Sequence, residues 1–379
     1  MKIIHTSDLH LGKKVNAVSM LEEQRHILQQ IREAVLREQA DAVILAGDIY
    51  DKPTPSAEAV QLFDDFLAAL ADTQAEIFCI SGNHDSAERI AYGGRIMARS
   101  GVHLSPVFDG KATPIVLERN GVSASFFLLP FIKPSLVRHH FPEAEIDSYN
   151  DAMRTVLAHT ESGNCPNPIL VTHQFITHAE RCESEEVFVG GIDNIDASLF
   201  DAFRYVALGH LHRPQSCGRP EVRYAGSPLK YSFSEAKDKK SLSMVEISAE
   251  GGISLTEIPL HPLHEWQDLR GSYEELTSRR FYEGTSYAED YVRITLTDEN
   301  DVPDAMRRLQ TVYHQLMELR YDNTRTRNSL RLFQQMQDMK EKSPEALFAE
   351  WYEIQNGMPL SPEQSAYLKT KIQTIWKNE

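Results

Sequence analysis

The sequence predicts an α/β protein: a sandwich of sheets flanked by helices, with its chemistry at strand ends. Three observations predict it. Near the start, short fully apolar runs alternate with amphipathic helical stretches, the pattern of sheets covered by helices. Further on, between residues 123 and 258, strand-like runs dominate, which fits two sheets better than one doubly wound sheet. Finally, Asp, Asn and His recur just after apolar runs, where α/β sheets hold their ligands.

Residues 2–6 are apolar and lead into Asp8-Leu9-His10. A helix follows, opened by a capping box at Ser19-Met20-Leu21-Glu22 and buried through Ile27, Leu28, Ile31 and Val35. The run AVILA at 42–46 reads as a fully buried strand that ends at Gly47-Asp48, with Asp51 three residues on. Ser56 caps the next helix, whose core face is expected to be Val60, Phe63, Leu67 and Leu70. Residues 77–80 form a third strand, leading into Gly82-Asn83-His84-Asp85. Later strands are expected at 123–129, 169–172, 205–208, 242–247 and 253–258, with a helix around 151–159. Two of those strands hand over to His173 and to Gly209-His210-Leu211-His212.

Pro259 and Pro262 then break the pattern. The domains are expected to be 1–260, a small α/β module at 261–335, and a helical pair at 336–379. The module should hold a helix near 272–282, a strand at 291–297 with Val292, Ile294 and Leu296 on one face, a helix opened by Pro303, and a strand near 316–321. In the tail, Ser343-Pro344 and Ser361-Pro362 each place an N-cap before a proline at the first helical position. The first tail helix carries Leu347, Phe348, Trp351, Tyr352 and Ile354. The second carries Leu368, Ile372, Ile375 and Trp376, and Asn356-Gly357-Met358-Pro359 separates the two. So short a hairpin cannot bury these groups within itself, so it is expected to dock on another protein, or else back on its own chain.

Composition bounds the function. The chain of 379 residues carries a net charge of −16, although a protein that grips DNA by its own surface is usually basic. Either the substrate is small or a partner supplies much of the nucleic-acid grip. No apolar run reaches a membrane span, and the opening MKIIHTSDLH is a strand running into candidate ligands rather than a signal peptide. The four cysteines form no Cys-x-x-Cys pair, and Cys79, inside an apolar run, is expected to be buried and reduced in a cytoplasmic protein.

Hard oxygen donors and imidazoles converging in this way suit two divalent metals rather than one structural zinc. Asp48 is the natural bridge. One ion would take Asp8, His10, Asp48 and His212, and the other Asp48, Asn83, His173 and His210. Such a pair activates water and clamps a phosphate, which makes a phosphoester hydrolase. His84 is expected to act on the leaving group, with Asp51 accepting its other N–H. Asp85 reads as a loop or helix cap, and His5, His103, His139 and His140 as packing or surface residues.

The ladder D-x-H, G-D-x-x-D, G-N-H-D, H, G-H-x-H resembles the signature of the metallophosphatase superfamily. Within it, IHTSDLHLG at 4–12, ALGHLHRPQ at 207–215 and GSPLKYSFSE at 226–235 resemble the SbcD family, the nuclease subunits of bacterial SbcC–SbcD complexes. That resemblance implies a four-layer α-β-β-α sandwich, a capping domain over DNA, and manganese as the metal. It also implies an SbcC-type ATPase bound through the C-terminal helices, and a homodimer within a heterotetramer. The implied activity is 3′→5′ exonuclease on duplex DNA and endonuclease on single strands and hairpins. Arg320, Arg325, Arg327 and Arg331 would form a phosphate-contacting strip, or else a solvated helix end. The alternatives are a phosphomonoesterase or cyclic-nucleotide phosphodiesterase on the same metal core, and a scaffold without catalysis. The complete ligand set argues against the scaffold, and the extra module and tail argue against a small-molecule hydrolase.

Overall fold

The computed structural model describes residues 1–177, 179–185, 194–327, 348–349, 352–353 and 358–376. The described chain divides into two compact units. One comprises Met1–Asp268, Thr285–Arg293 and Tyr313–Glu318; the other comprises Leu269–Gly284, Ile294–Val312 and Leu319–Glu379. Each unit is thus built from three separate segments of the chain. Among the described residues no helix is long and apolar enough to cross a membrane.

Two six-stranded sheets form the first unit's core. The first runs, from edge to edge, Ile253–Pro259, Ser241–Ile247, Lys2–Thr6, Ala42–Ala46, Glu76–Ile80 and Val102–Leu104; its last four strands are parallel. The second runs Gln215–Cys217, Arg219–Tyr224, Tyr205–Gly209, Pro168–His173, Val122–Leu129 and Pro114–Arg119, with its four central strands parallel.

The period-2 side-chain alternation explains why the central strands read as unbroken apolar runs. Ile3, Ala42, Ile44, Phe78 and Ile80 face the other sheet, where they meet Phe126, Ile169, Val171 and Ala207. The Phe78 and Phe126 rings stack across that interface with centroids 3.8 Å apart. The alternate residues Ile4, Val43, Leu45, Ile77 and Cys79 face the helices Leu21–Glu38 and Ala57–Ala71. The second sheet's outer face packs on Pro134–His140 and Tyr149–Ala158. Helix, sheet, sheet, helix gives the four layers.

Two local expectations are corrected. Ser19 does not cap the first helix: the N-cap is Met20, without a side-chain cap bond, because Ser19 pairs with Lys14 in a two-residue strand. Val60 lies outside the core and is 45% exposed; Ala59, Leu62 and Phe66 complete the buried face with Phe63, Leu67 and Leu70. Ser56 does cap its helix, accepting the Ala59 N–H at 3.3 Å. Cys79 is fully buried and makes no disulfide.

In the later part of the chain, Val292, Ile294 and Leu296 are buried on one face of Tyr291–Leu296, as the alternation requires. The helix expected near 272–282 is two short helices, Tyr273–Thr277 and Arg279–Tyr282, the first capped by Ser272. Ser361 caps Pro362–Trp376, accepting the Gln364 N–H at 3.2 Å. Arg325 and Arg327 are committed to Asp301 and Asp322 rather than presented as a strip. Arg331, the Ser343-Pro344 cap, Leu347, Trp351, Ile354 and Asn356-Gly357 lie outside the described residues, as do the side chains of Ile372, Ile375 and Trp376.

Candidate metal centre

The parallel strands Lys2–Thr6, Ala42–Ala46 and Glu76–Ile80 of one sheet, and Pro168–His173 and Tyr205–Gly209 of the other, lead into the ligand-type residues; His173 is the last residue of its strand and the others follow theirs in loops. Four of these residues hold a left-handed backbone: Asp8 (φ 55°), His10 (φ 44°), Asp48 (φ 50°) and His210 (φ 106°). Such conformations cost about 1–3 kcal/mol each and persist where surrounding bonds enforce them. Here the Asp8 N–H donates to the Gly47 carbonyl at 3.0 Å and the His10 N–H to the Asp48 carbonyl at 2.9 Å. The His210 N–H donates to both Asp8 carboxylate oxygens at 3.1 Å. Two glycines permit the close approach of the sheets: a Cβ on Gly47 would lie 2.5 Å from His173 Nδ1, and one on Gly209 would overlap the Ala46 carbonyl.

The structure brings all seven expected ligands together. Asp8, His10 and His212 place donor atoms within 4.8 Å of one another, as do Asp8, Asp48 and His173. Asn83 Oδ1 lies 3.1 Å from His173 Nε2 and 3.0 Å from His210 Nδ1. Asp48 Oδ2 lies 3.3 Å from His173 Nε2 and 3.7 Å from His10 Nε2, between the two groups. The His173 ring is oriented by Nδ1, which donates to the Ala46 carbonyl at 2.8 Å.

This donor set fits divalent metal. Burial drives the pKa of His10 well below its ordinary value, and that of His210 down to about 3, so both offer neutral lone pairs. Their ring nitrogens crowd together with those of their neighbours, His10 Nε2 lying 3.1 Å from His212 Nε2. Burial opposes charge on Asp48, but His173, His10 and His84 outweigh it and hold the carboxyl well below the usual range. Burial likewise opposes charge on His173, yet the Asp48 carboxylate raises it to about 9. A bound cation would take over the role of that proton.

Behind His212 stands a buried network, of which only Ser227 and Glu235, within GSPLKYSFSE at 226–235, fall in a stretch that the sequence singles out. Ser184 Oγ lies 2.8 Å from His212 Nδ1 and donates to Glu235 at 2.6 Å. Lys240 Nζ donates to Glu235 Oε2 at 2.6 Å, to the His212 carbonyl at 2.8 Å and to Ser227 Oγ at 3.0 Å. Glu185 accepts the His212 N–H at 2.6 Å. Gln24 secures the other loop, donating to the His10 carbonyl at 2.7 Å and accepting the Gly12 N–H at 3.0 Å. Gln24 was legible in principle, as a polar residue on a helix face otherwise buried. Glu235 ends the one-turn helix Phe233–Glu235 and Lys240 lies just before the strand Ser241–Ile247, with no periodicity that marks either as part of a site.

His84 stands beside these ligands, its ring edge-on to His10 with centroids 4.9 Å apart and Nε2 3.9 Å from Asp48 Oδ2. With Asp48 and His10 it also forms a third donor group within 4.8 Å. Asp51 does accept from His84, but through its backbone: Nδ1 meets the Asp51 carbonyl at 3.1 Å, while the Asp51 carboxylate ion-pairs with Lys13 at 2.7 Å. Lys13 reaches Asp51 first, from the loop that follows His10. Asp85 organises the loop, accepting the N–H groups of Ile49, Tyr50 and Gly82 at 3.0, 2.9 and 2.9 Å. His5 packs in the core against Tyr205, and His103 pairs with Glu76.

Residues 1–214 match the family described as calcineurin-like phosphoesterase, and residues 259–356 match the type 5 capsule protein repressor C-terminal domain. An SbcD nuclease subunit from Staphylococcus epidermidis is 31% identical over the full length of both chains. Its counterpart from Staphylococcus saprophyticus is 33% identical over 83% of this chain and 82% of that one. A solved dimetal phosphatase from Danio rerio aligns over 69% of this chain and 98% of its own at 11% identity, with a TM-score of 0.44.

Proposed function

The chain belongs to the calcineurin-like phosphoesterases and, among them, to the SbcD nuclease family, and on that premise we propose that it is the nuclease subunit of a complex with an SbcC-type ATPase. It is a metal-dependent phosphodiester hydrolase. Our reading of its substrate is DNA: duplex ends degraded 3′→5′, and single strands and hairpins cut internally, in recombination, replication and repair. The convergence of seven ligand-type side chains on one strand edge, in a chain aligned end to end with a nuclease subunit, carries this reading.

Two divalent ions, which we take to be Mn²⁺, would supply an activated water and positive charge for the attacked phosphate. The first is assigned to Asp8, His10, Asp48 and His212, the second to Asp48, Asn83, His173 and His210. The chain's own residues do the rest. Asp48 reaches both groups with one carboxylate. Asn83 contributes an uncharged oxygen, so the site keeps net positive charge for an anionic substrate. His84 Nδ1 is fixed as a donor by the Asp51 carbonyl, so Nε2 is the atom turned to the pocket, placed to hold a proton for the leaving alkoxide. The Asp51 carboxylate, paired with Lys13, positions that loop.

Residues 261–335 are assigned to DNA recognition and 336–379 to the ATPase, in a cytoplasmic complex carrying two copies of this chain. The −16 charge supports a division of labour in which the partner contributes much of the DNA-binding surface. The test is cleavage of end-labelled duplex and hairpin DNA in Mn²⁺, with and without the ATPase. The reading requires DNA cleavage that the partner stimulates. No cleavage, with rapid turnover of a cyclic nucleotide instead, would contradict it.

A further inference from the structure

Apart from the strand-end site, the first unit contains a cavity of about 450 Å³. Its floor is apolar, formed by the buried side chains of Met20, Leu229, Leu260 and Trp266, with Pro228 beside them.

The charges around it do not balance. Each acid on its wall is already committed. Glu23 accepts the N–H groups of Leu263 and His264 at 2.9 Å and takes the His264 ring at 2.6 Å. Asp238 holds Arg213 at 3.2 Å, and Glu265 holds Lys230 at 2.6 Å. Lys240 is spent on Glu235. That leaves Lys237 and Lys239, both lining the cavity, with no acid within ion-pair distance among the described residues. His261, also exposed, lines the cavity as well.

In a chain of net charge −16, a concavity with two uncompensated ammonium groups over an apolar floor runs against the background field. Pockets that pair apolar walls with a few polar groups bind small molecules. Here the complement is an anion at one end and a flat, weakly polar body at the other, within a volume that suits a single nucleotide but not a duplex.

We propose that this cavity binds a nucleoside monophosphate, its phosphate at Lys237 and Lys239 and its base over Leu229, Leu260 and the edge of Trp266. The choice of a nucleotide among amphipathic anions rests on the nuclease reading, since hydrolysis of a nucleotide chain releases such molecules. The cavity and its charge do not depend on that reading.

The experiment is calorimetric titration of the EDTA-treated full-length protein with dAMP, deoxyadenosine and inorganic phosphate, so that neither metal nor cleavage enters. One molecule of dAMP per chain is expected, with deoxyadenosine and phosphate each at least tenfold weaker because each supplies half of the contacts. In Lys237→Ala/Lys239→Ala, dAMP should bind at least tenfold more weakly with the melting temperature unchanged, because neither ammonium group is tied into an ion pair among the described residues. Absence of dAMP binding, equal affinity in the double variant, or phosphate binding as tightly as dAMP would each overturn the proposal. A DNA-cleavage failure with dAMP binding intact would instead count against the nuclease reading alone.

Discussion

Lys240→Met tests whether the buried network behind the metal centre holds His212 in place. Lys240 and Glu235 are paired at 2.6 Å with side chains only 3% and 0% exposed, and burial opposes charge on Glu235 while Lys240 holds its carboxyl well below the usual range. Removing the ammonium leaves a buried carboxylate facing Ser184 and Ser232, and breaking such a pair from one side costs about 3–5 kcal/mol. At roughly 2–4 °C per kcal/mol for a domain of this size, the melting temperature should fall by about 10 °C. Glu235→Gln in the same chain removes the stranded charge while keeping acceptors for the serines, so the double variant should recover at least half of the loss. Loss of the bond to the His212 carbonyl, with a loosened Ser184, should also weaken metal binding about 10–100-fold, the usual effect of losing an outer-shell partner. Thermal melts of the parent, both single variants and the double variant, with metal titrations of each, give the result. A Lys240→Met protein within about 1 kcal/mol of the parent, or a double variant no better than the single, would refute the reasoning.

Three further outcomes are expected. His173, raised to about 9 in the metal-free protein, must lose its proton to become a ligand. Metal binding should therefore release at least one proton per chain below pH 9 and strengthen as the pH rises toward it; titrations in buffers of different ionisation heat would expose a lack of release. His5 is pushed down to about 3, first by burial and then by Arg223, so its folded pKa lies below the unfolded value and the unfolded chain binds more protons in acid. His5 alone should account for roughly 2 kcal/mol of the stability lost between pH 7 and pH 5, so His5→Phe should reduce that loss by about this amount in urea unfolding; an unchanged loss would remove His5 as a cause. Gly209→Ala should cost about 1–3 kcal/mol in thermal stability and weaken metal binding, because the methyl overlaps the Ala46 carbonyl and lies 2.6 Å from His173 Nδ1. A variant that melts and binds metal like the parent would show that the strand ends have room to move.

Much of this was legible because the residues concerned have local reasons to be where they are. The central strands announce themselves as apolar runs since both faces of each sheet are buried, and the ligands follow them directly. Where a tertiary partner decides, the sequence is silent or misleads. Asp51 lies three residues after Asp48 and does partner His84, but through its backbone carbonyl, because Lys13, distant in sequence, claims its carboxylate. Ser19 has the spacing of a capping box, but pairing with Lys14 draws it out of the helix. Glu235 and Lys240 share the connection between Arg219–Tyr224 and Ser241–Ile247, and Ser184, some fifty residues earlier, reaches them only through the tertiary fold. Arg325 and Arg327 form a basic cluster along the chain and a set of local ion pairs in the fold.

The most direct test of the central claim is the metal content of the purified protein, measured by elemental analysis after dialysis against Mn²⁺. The account predicts two equivalents per chain in the parent and in His84→Ala, and fewer than one in Asp48→Ala, whose missing carboxylate serves both groups. One equivalent in the parent, or two retained without Asp48, would contradict a two-metal centre bridged by that residue.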